Sequence, residues 1–450
     1  MTGKKKRKRE SLLEGSVLKG FILFALPLFA GSLFQQLYGT VDLIFVGNCL
    51  GKTEAAAVGA SGILVTCLIG LFTGIAAGAS VITAKYWGAQ DTESVQSSIE
   101  NALVLALAGG VGLMVLGQLL ARQALLWLNT PESILAQALV YIKIYLLAIM
   151  SMIVYNMCVG IMRAMGDSRT PFVVLAIGGM LNVLLDYLFI VMLPFGVAGA
   201  AFATFGSQTF TAVCLLVRII RKEALLKRSW KPERRMMASI IKTGVPLGIQ
   251  SMILTLSNLF VQYYINGFGE DAVAAFTVYF RVETFLYLPI LAFGQAMVTF
   301  TGQNYGAGYY DRIRKGVRSC NLFSALVIAA LSALILCFSR PVLGIFCKDP
   351  EVVEAARSII LVSFPFYFIY SVMELTGSVV RGLGETMQSM GIVIFALCIV
   401  RVLLLGCSVR MFHSVQMVAA VYPVTWLIAM LLFILSYQRC VGRLLQKPDN

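Results

Sequence analysis

A single histidine among 450 residues, His413 near an expected outward loop, leaves almost nothing from which to build a histidine-based metal centre or a Ser-His-Asp triad. The ten cysteines are scattered, none in a CxxC pair and none at ligand spacing, so they read as small apolar packing residues. Charge is scarce too: Asp, Glu, Lys and Arg make up 13% of the chain, against about 25% in ordinary soluble domains. No GxxxxGK[ST] phosphate loop occurs, which removes nucleotide hydrolysis as an energy source. Neither an enzyme nor a metalloprotein is expected.

What the sequence has in abundance is hydrocarbon, with 59% of residues hydrophobic. The apolar runs are mostly 20–30 residues long, enough to cross a core of about 30 Å at about 1.5 Å per residue. A backbone crossing lipid has to satisfy its own N–H and C=O groups, so these runs are helices. Twelve spans are expected, near 16–46, 54–84, 97–121, 134–160, 170–193, 197–220, 239–266, 272–302, 318–338, 355–379, 387–409 and 415–438. The first run is too long for a signal-peptide core and carries no small-residue cleavage site, so it reads as a retained helix.

Most of the 36 basic residues fall on one side of this arrangement: the tail KKKRKR (4–9), the segment 218–242, residues 312–318 and the end of the chain. That bias puts both termini in the cytoplasm. KKKRKR could also serve as a nucleic-acid patch, but directly ahead of a membrane helix it reads as a topological signal.

The sequence repeats with an offset of 218 residues. LGKTEAAAVG (50–59) matches FGEDAVAAFT (268–277), KYWGAQ (85–90) matches QNYGAG (303–308), and RAMGDS (163–168) matches RGLGET (381–386). Pro27 and Pro246 correspond after one inserted residue. Each copy holds six spans, an even number, so both cross in the same sense. The expected fold is an all-α membrane protein of twelve transmembrane helices in two six-helix bundles, a parallel repeat with its pseudo-two-fold axis along the membrane normal. The segments expected are a basic cytoplasmic tail (1–15), an N-lobe (16–220), a cytoplasmic linker (221–238), a C-lobe (239–438) and a C-terminal tail (439–450).

Asp42, Lys143, Asp186, Arg281, Glu283, Glu374 and Arg401 fall inside spans. Each costs roughly 2.5–3.5 kcal/mol at a helix centre, so each needs a partner, a watery cavity or a neutral form. Asp42 should lie about 7 Å below the outer end of the first span and Asp186 about 12 Å below that of the fifth. Asn182 shares a helix face with Asp186, and Tyr38 one with Asp42, at i, i+4. Tyr141 and Thr204 sit roughly 10 Å in from the outer ends of their own spans. Two carboxylates close together at low dielectric cannot both ionise cheaply, so the pair would hold a proton or a small cation. The plainer alternative for Asp42 is hydration near the interface. Pro27 weakens the first span, either as a hinge or as a structural bend. Gln35, Glu283, Arg281 and Glu374 are secondary candidates. Arg281 and Glu283 could neutralise one another or groups on neighbouring helices, Lys143 would pair or snorkel, and Arg401 would answer Glu374.

Pro27, TVDLIFVGNCLG, AAAVGASG, GASVITAKYWGAQD, RAMGDSRTP, LNVLLDYLFI and GVAGAAFAT, with the echoes QNYGAG and RGLGET, together resemble the multidrug and toxic compound extrusion (MATE) family. The resemblance implies a cation-coupled antiporter that expels amphipathic, often cationic compounds through a V-shaped cleft between two lobes. Asp42, Asn182, Asp186, Tyr141, Thr204 and Pro27 stand where the family's DinF-like branch has its coupling site and its bending proline. The branch with a C-lobe cation has a glutamate where this chain reads Leu254-Thr255, which favours the N-lobe and leaves proton or sodium at Asp42 and Asp186 open. Small organic substrates and membrane lipids are the expected partners, with no nucleic acid, no cofactor beyond the coupling ion, and the chain working as a monomer in the cell membrane. A flippase for a lipid-linked saccharide is the alternative on the same fold.

Overall fold

The computed structural model describes residues 12–127, 130–222, 232–412 and 414–445; the side chains of 42–44, 52–53, 55–57, 60–68 and 444–445 lie outside that description. The basic tail up to residue 11, the middle of the linker, His413 and the Asp42 side chain are therefore not among the described groups. Among the described residues twelve helices are long and apolar enough to cross a membrane, and no strand occurs. They are α1 (Val17–Leu50), α2 (Lys52–Gly88), α3 (Thr92–Trp127), α4 (Glu132–Ala164), α5 (Arg169–Met192), α6 (Val197–Lys222), α7 (Arg234–Asn266), α8 (Glu270–Gly306), α9 (Tyr310–Cys337), α10 (Pro350–Gly382), α11 (Thr386–Phe412) and α12 (Val415–Leu445). A one-turn helix, Ser339–Gly344, precedes α10. Large apolar side chains such as Leu119, Leu184 and Leu403 are more than 60% exposed, as a lipid-facing surface requires.

The internal repeat is written into the backbone of the turns. Gly51 and Gly269, 218 residues apart, have φ of 96° and 92°, and Gly166 and Gly384 have 82° and 91°. After α4, Asp167 N–H donates to Met162 O at 2.9 Å; after α10, Glu385 N–H donates to Val380 O at 3.2 Å. These bonds close the helix ends over a left-handed glycine, which carries no Cβ penalty there. At the third repeated turn the second copy has Gly308 at φ 74°, while the first has Gln90 at 58°, the only non-glycine with positive φ among the described residues.

The chain folds into two compact units that do not follow the sequence halves. One contains residues 30–87 and 91–252; the other contains the chain up to Phe29, Gly88–Gln90 and residues 253 onward. The N-terminal half of α7 thus belongs with α2–α6, and the N-terminal half of α1 with α8–α12.

In the first of these units α7 lies against α2 through two facing glycine pairs. A Cβ on Gly74 would sit 2.1 Å from Gly248 N, and one on Gly78 would sit 2.5 Å from Gly244 Cα. Gly74 and Gly78 form a GxxxG pair, as do Gly244 and Gly248, and only glycine lets two membrane helices approach backbone to backbone. The start of α7 is also tied to α3: Glu233 N–H donates to Asn101 Oδ1 at 2.8 Å, and Ser97 Oγ donates to Glu233 Oε2 at 2.8 Å.

In the other unit the start of α1 packs by side chains. Phe21, Phe24, Ala25 and Leu28 are buried with Ala292, Ala296, Met297 and Phe300 of α8 and with Ile313 and Val317 of α9. Arg312 grips the turn ahead of α1, its Nη1 donating to Gly15 O at 2.9 Å and its Nη2 to Glu14 O at 3.0 Å. Pro27 lies two residues before the point where α1 passes from one unit to the other.

Candidate functional site

Three helices turn into π geometry beside a charged intramembrane residue. In α1 the π segment is Val46–Leu50, starting one turn after Asp42; in α5 it is Tyr187–Met192, starting directly after Asp186; in α11 it is Ile394–Val400, ending directly before Arg401. A π turn leaves one helical hydrogen bond displaced and is concentrated at functional sites.

The π segments of α1 and α5 meet in the first unit. Val46 of α1, Tyr141 of α4, Ile190 of α5 and Ala200 and Ala201 of α6 form one buried cluster, with Tyr145 packed against it. Tyr141 is 6% exposed and its ring lies 5.7 Å from that of Tyr145. Thr204 is half-buried one turn further along α6, with its hydroxyl donating to Ala200 O at 3.1 Å. Asp186 is fully buried, and Asn182, one turn before it, is 3% exposed. Helices α1, α4, α5 and α6 are thereby gathered around Tyr141, with Asp186 on one of them. Whether Asp42 completes the group rests on a side chain outside the described residues. Of the remaining residues named from the sequence, Tyr38 and Pro27 are half-buried and Gln35 is exposed.

A separate polar network occupies the other unit. Tyr367 of α10 donates its hydroxyl to Glu283 Oε1, and the Tyr279 and Tyr367 hydroxyls lie 3.4 Å apart. Ser363 Oγ donates to Tyr279 at 3.2 Å. Trp426 packs on Tyr367 with ring centres 4.8 Å apart. Arg401 is buried, its guanidinium 4.7 Å from the centre of the Tyr422 ring, a cation–π arrangement. Arg281 is exposed while Glu283, two residues on, turns to the neighbouring helix; positions two apart on a helix do not share a face.

The expected Arg401–Glu374 pairing is not what the structure holds. Glu374 forms an ion pair with Arg381 of its own helix, seven residues and two turns along the same face, and Arg381 Nη2 also donates to Ser378 Oγ at 2.7 Å. Sequence reasoning missed Tyr279, Ser363 and Tyr367 as partners of Glu283. The i, i+4 spacings of Tyr279 to Glu283 and of Ser363 to Tyr367 were available as a signal, but which two helices face each other was not.

Similarity to known proteins agrees with this architecture. The MatE family model matches residues 27–188 and again 246–405, once per repeat. The chain is 27% identical to the probable multidrug resistance protein YoeA of Bacillus subtilis (strain 168) over 392 residues, covering 85% of each chain. It is 26% identical to the probable multidrug resistance protein NorM of Thermotoga maritima, covering 83% of this chain and 82% of that one. Its fold matches an outward-facing multidrug resistance MATE family transporter of the MOP superfamily with a TM-score of 0.91, at 23% identity, over 99% of this chain and all of that one. Twelve membrane-length helices in a duplicated order, and a family match that covers both copies, make this chain a multi-pass membrane protein of the MatE family, the multidrug and toxic compound extrusion transporters.

Proposed function

We propose that the protein is a secondary antiporter that exports amphipathic or cationic small molecules in exchange for an inward-moving proton or sodium ion, bound at Asp42 and Asp186. The observation that carries this reading is the complete burial of Asp186 on a helix gathered with α1, α4 and α6 around Tyr141. A buried carboxylate is costly when charged and alone, so it takes a proton, a cation or a cationic partner. Asn182, one turn before it on α5, and Tyr141 and Thr204 on α4 and α6 would supply uncharged polar groups to such a site. This arrangement supports the DinF-like form of the family, with the ion in the N-terminal repeat.

Coupling needs only that ion and cargo favour different conformations by a few kcal/mol. Occupation of the acid pair would change the packing of the C-terminal part of α1, and Pro27, where the helix lacks a backbone donor, would absorb the change. The distribution of basic residues supports a cytoplasmic position for both termini. The relatives named as multidrug resistance proteins favour drug export over flipping of a lipid-linked saccharide. In proteoliposomes, efflux of ethidium should accelerate several-fold under an imposed proton gradient or an imposed sodium gradient. A rate that ignores both gradients would remove the antiport reading.

A further inference from the structure

A small cavity lies between α1, α5 and α6, lined by Tyr38, Gly178, Asn182, Ser207, Gln208 and Thr211 among others. Its volume, the space open to the centre of a water molecule, is about 10 Å³. That is close to the smallest volume that holds one water, about 10–15 Å³, and far too small for an organic cargo. The walls are closely packed: a Cβ on Gly178 would sit 2.1 Å from Thr211 Cγ2, and one on Gly179 would sit 2.6 Å from the Phe34 ring.

Three of the polar side chains around it offer acceptors. Asn182 is 3% exposed, and its Oδ1 is buried and makes no hydrogen bond among the described residues. Ser207 spends its hydroxyl hydrogen on Thr204 O at 3.1 Å, and Thr211 spends its own on Gln208 O at 2.9 Å. Both hydroxyl oxygens therefore have only lone pairs left to offer. Leaving a buried amide oxygen without a donor is costly, and a water has two hydrogens to give. No carboxylate is among the described lining residues, so a bare cation would lack a counter-charge there.

We propose that this cavity is a fixed hydration site, in which one water donates to Asn182 Oδ1 and to the hydroxyl oxygen of Ser207 or Thr211, bridging α5 to α6. Its consequence for transport rests on the antiport reading above. With Oδ1 committed to the water, the Asn182 amide keeps only its N–H2, which can donate to a carboxylate of the ion site, Asp186 lying one helical turn away, and cannot itself ligate a cation. The water is then a positioning element for that amide.

The test has two arms. A density map of the wild type that shows other buried waters should show one peak within about 2.5–3.2 Å of Asn182 Oδ1 and of Ser207 Oγ or Thr211 Oγ1. The Ser207→Ala, Thr211→Val double variant should lack it, and Thr211→Ser, which keeps the hydroxyl, should retain it. No peak in the wild type, a peak that persists in the double variant, or a peak replaced by thallium when sodium is exchanged for it would each overturn the proposal. In the second arm, the double variant should move the midpoint of the pH or sodium dependence of gradient-driven efflux at least threefold in ion concentration, and Thr211→Ser should restore it; an unmoved midpoint overturns the positioning role. Failure of the antiport reading shows separately, as gradient-driven efflux that survives loss of Asp42 and Asp186, and it leaves the density arm standing.

Discussion

Gln90 occupies the left-handed region at the turn between α2 and α3 with φ of 58°, where the second repeat has Gly308. A side chain there costs about 1–2 kcal/mol, offset by the roughly 0.5–1 kcal/mol of backbone entropy that glycine loses on folding. Gln90→Gly should therefore raise the thermal unfolding midpoint in detergent slightly, whereas Gly384→Ala, at φ 91°, should lower it; the opposite order would contradict the account of these turns. Next to Gln90, Asp91 accepts from Ser94 N–H at 3.0 Å and caps α3. Hydrogen bonds from the Ser94 side chain and backbone hold its carboxyl below the usual range. A folded pKa lowered in this way contributes stability above the unfolded value of about 3.9 and loses it as pH falls through the folded value. The stability difference between wild type and Asp91→Ala should be flat from pH 5 to 8 and shrink below about pH 4. A difference that instead grows on acidification would show that the cap acts in some other way. The turn holding Gly384 was legible in the sequence, since RAMGDS and RGLGET mark it twice. The Glu374–Arg381 pair was not, because Arg381 reads from hydropathy as a loop residue and becomes a partner only once α10 is seen to run through it.

Among the elements, α7 depends on its glycines. Gly248 faces Leu71 O at 2.7 Å and Gly244 faces Ile75 Cα at 2.6 Å, measured from the Cβ each would carry. Backbone on the other side cannot yield as a side chain can, so Gly248→Val should destabilise by at least the 1–3 kcal/mol typical of overpacking, about that much or more. Gly112, whose Cβ would meet nothing within 4 Å, supplies the control: Gly112→Ala should leave the melting midpoint of purified protein nearly unchanged. Equal effects at the two sites would mean that α2 and α7 are not packed backbone to backbone. The π segments lie at the same scale and were not legible at all. Nothing in DYLFIVM or IFALCIV departs from an ordinary apolar helix; in α5 and α11 the π segments adjoin the buried Asp186 and Arg401.

At the scale of the molecule, the apolar runs predicted twelve helices and the repeat their division into two copies, and the family match covers both. It did not give the assignment of helix halves to compact units. The first part of α7 carries Met236 and Ile240 into the core of α2–α6, and the first part of α1 carries Phe21 and Leu28 into a core with α8 and α9. Such an exchange is set by which surfaces fit, and a hydropathy pattern is blind to fit. Residues 1–222 expressed without the rest would leave Gly74 and Gly78 uncovered. Each half expressed alone should be degraded, and co-expression of 1–222 with 232–450 should restore a stable complex on size-exclusion chromatography; a stable single half would contradict the exchange.

The central claim is that Asp42 and Asp186 hold the coupling ion. The most direct measurement compares two fluxes in the same proteoliposomes for wild type, Asp42→Asn and Asp186→Asn: cargo efflux driven by a proton or sodium gradient, and cargo-for-cargo exchange without any gradient. The account expects both variants to lose at least nine-tenths of gradient-driven efflux while still exchanging cargo. Gradient-driven efflux at the wild-type rate in both variants would contradict it.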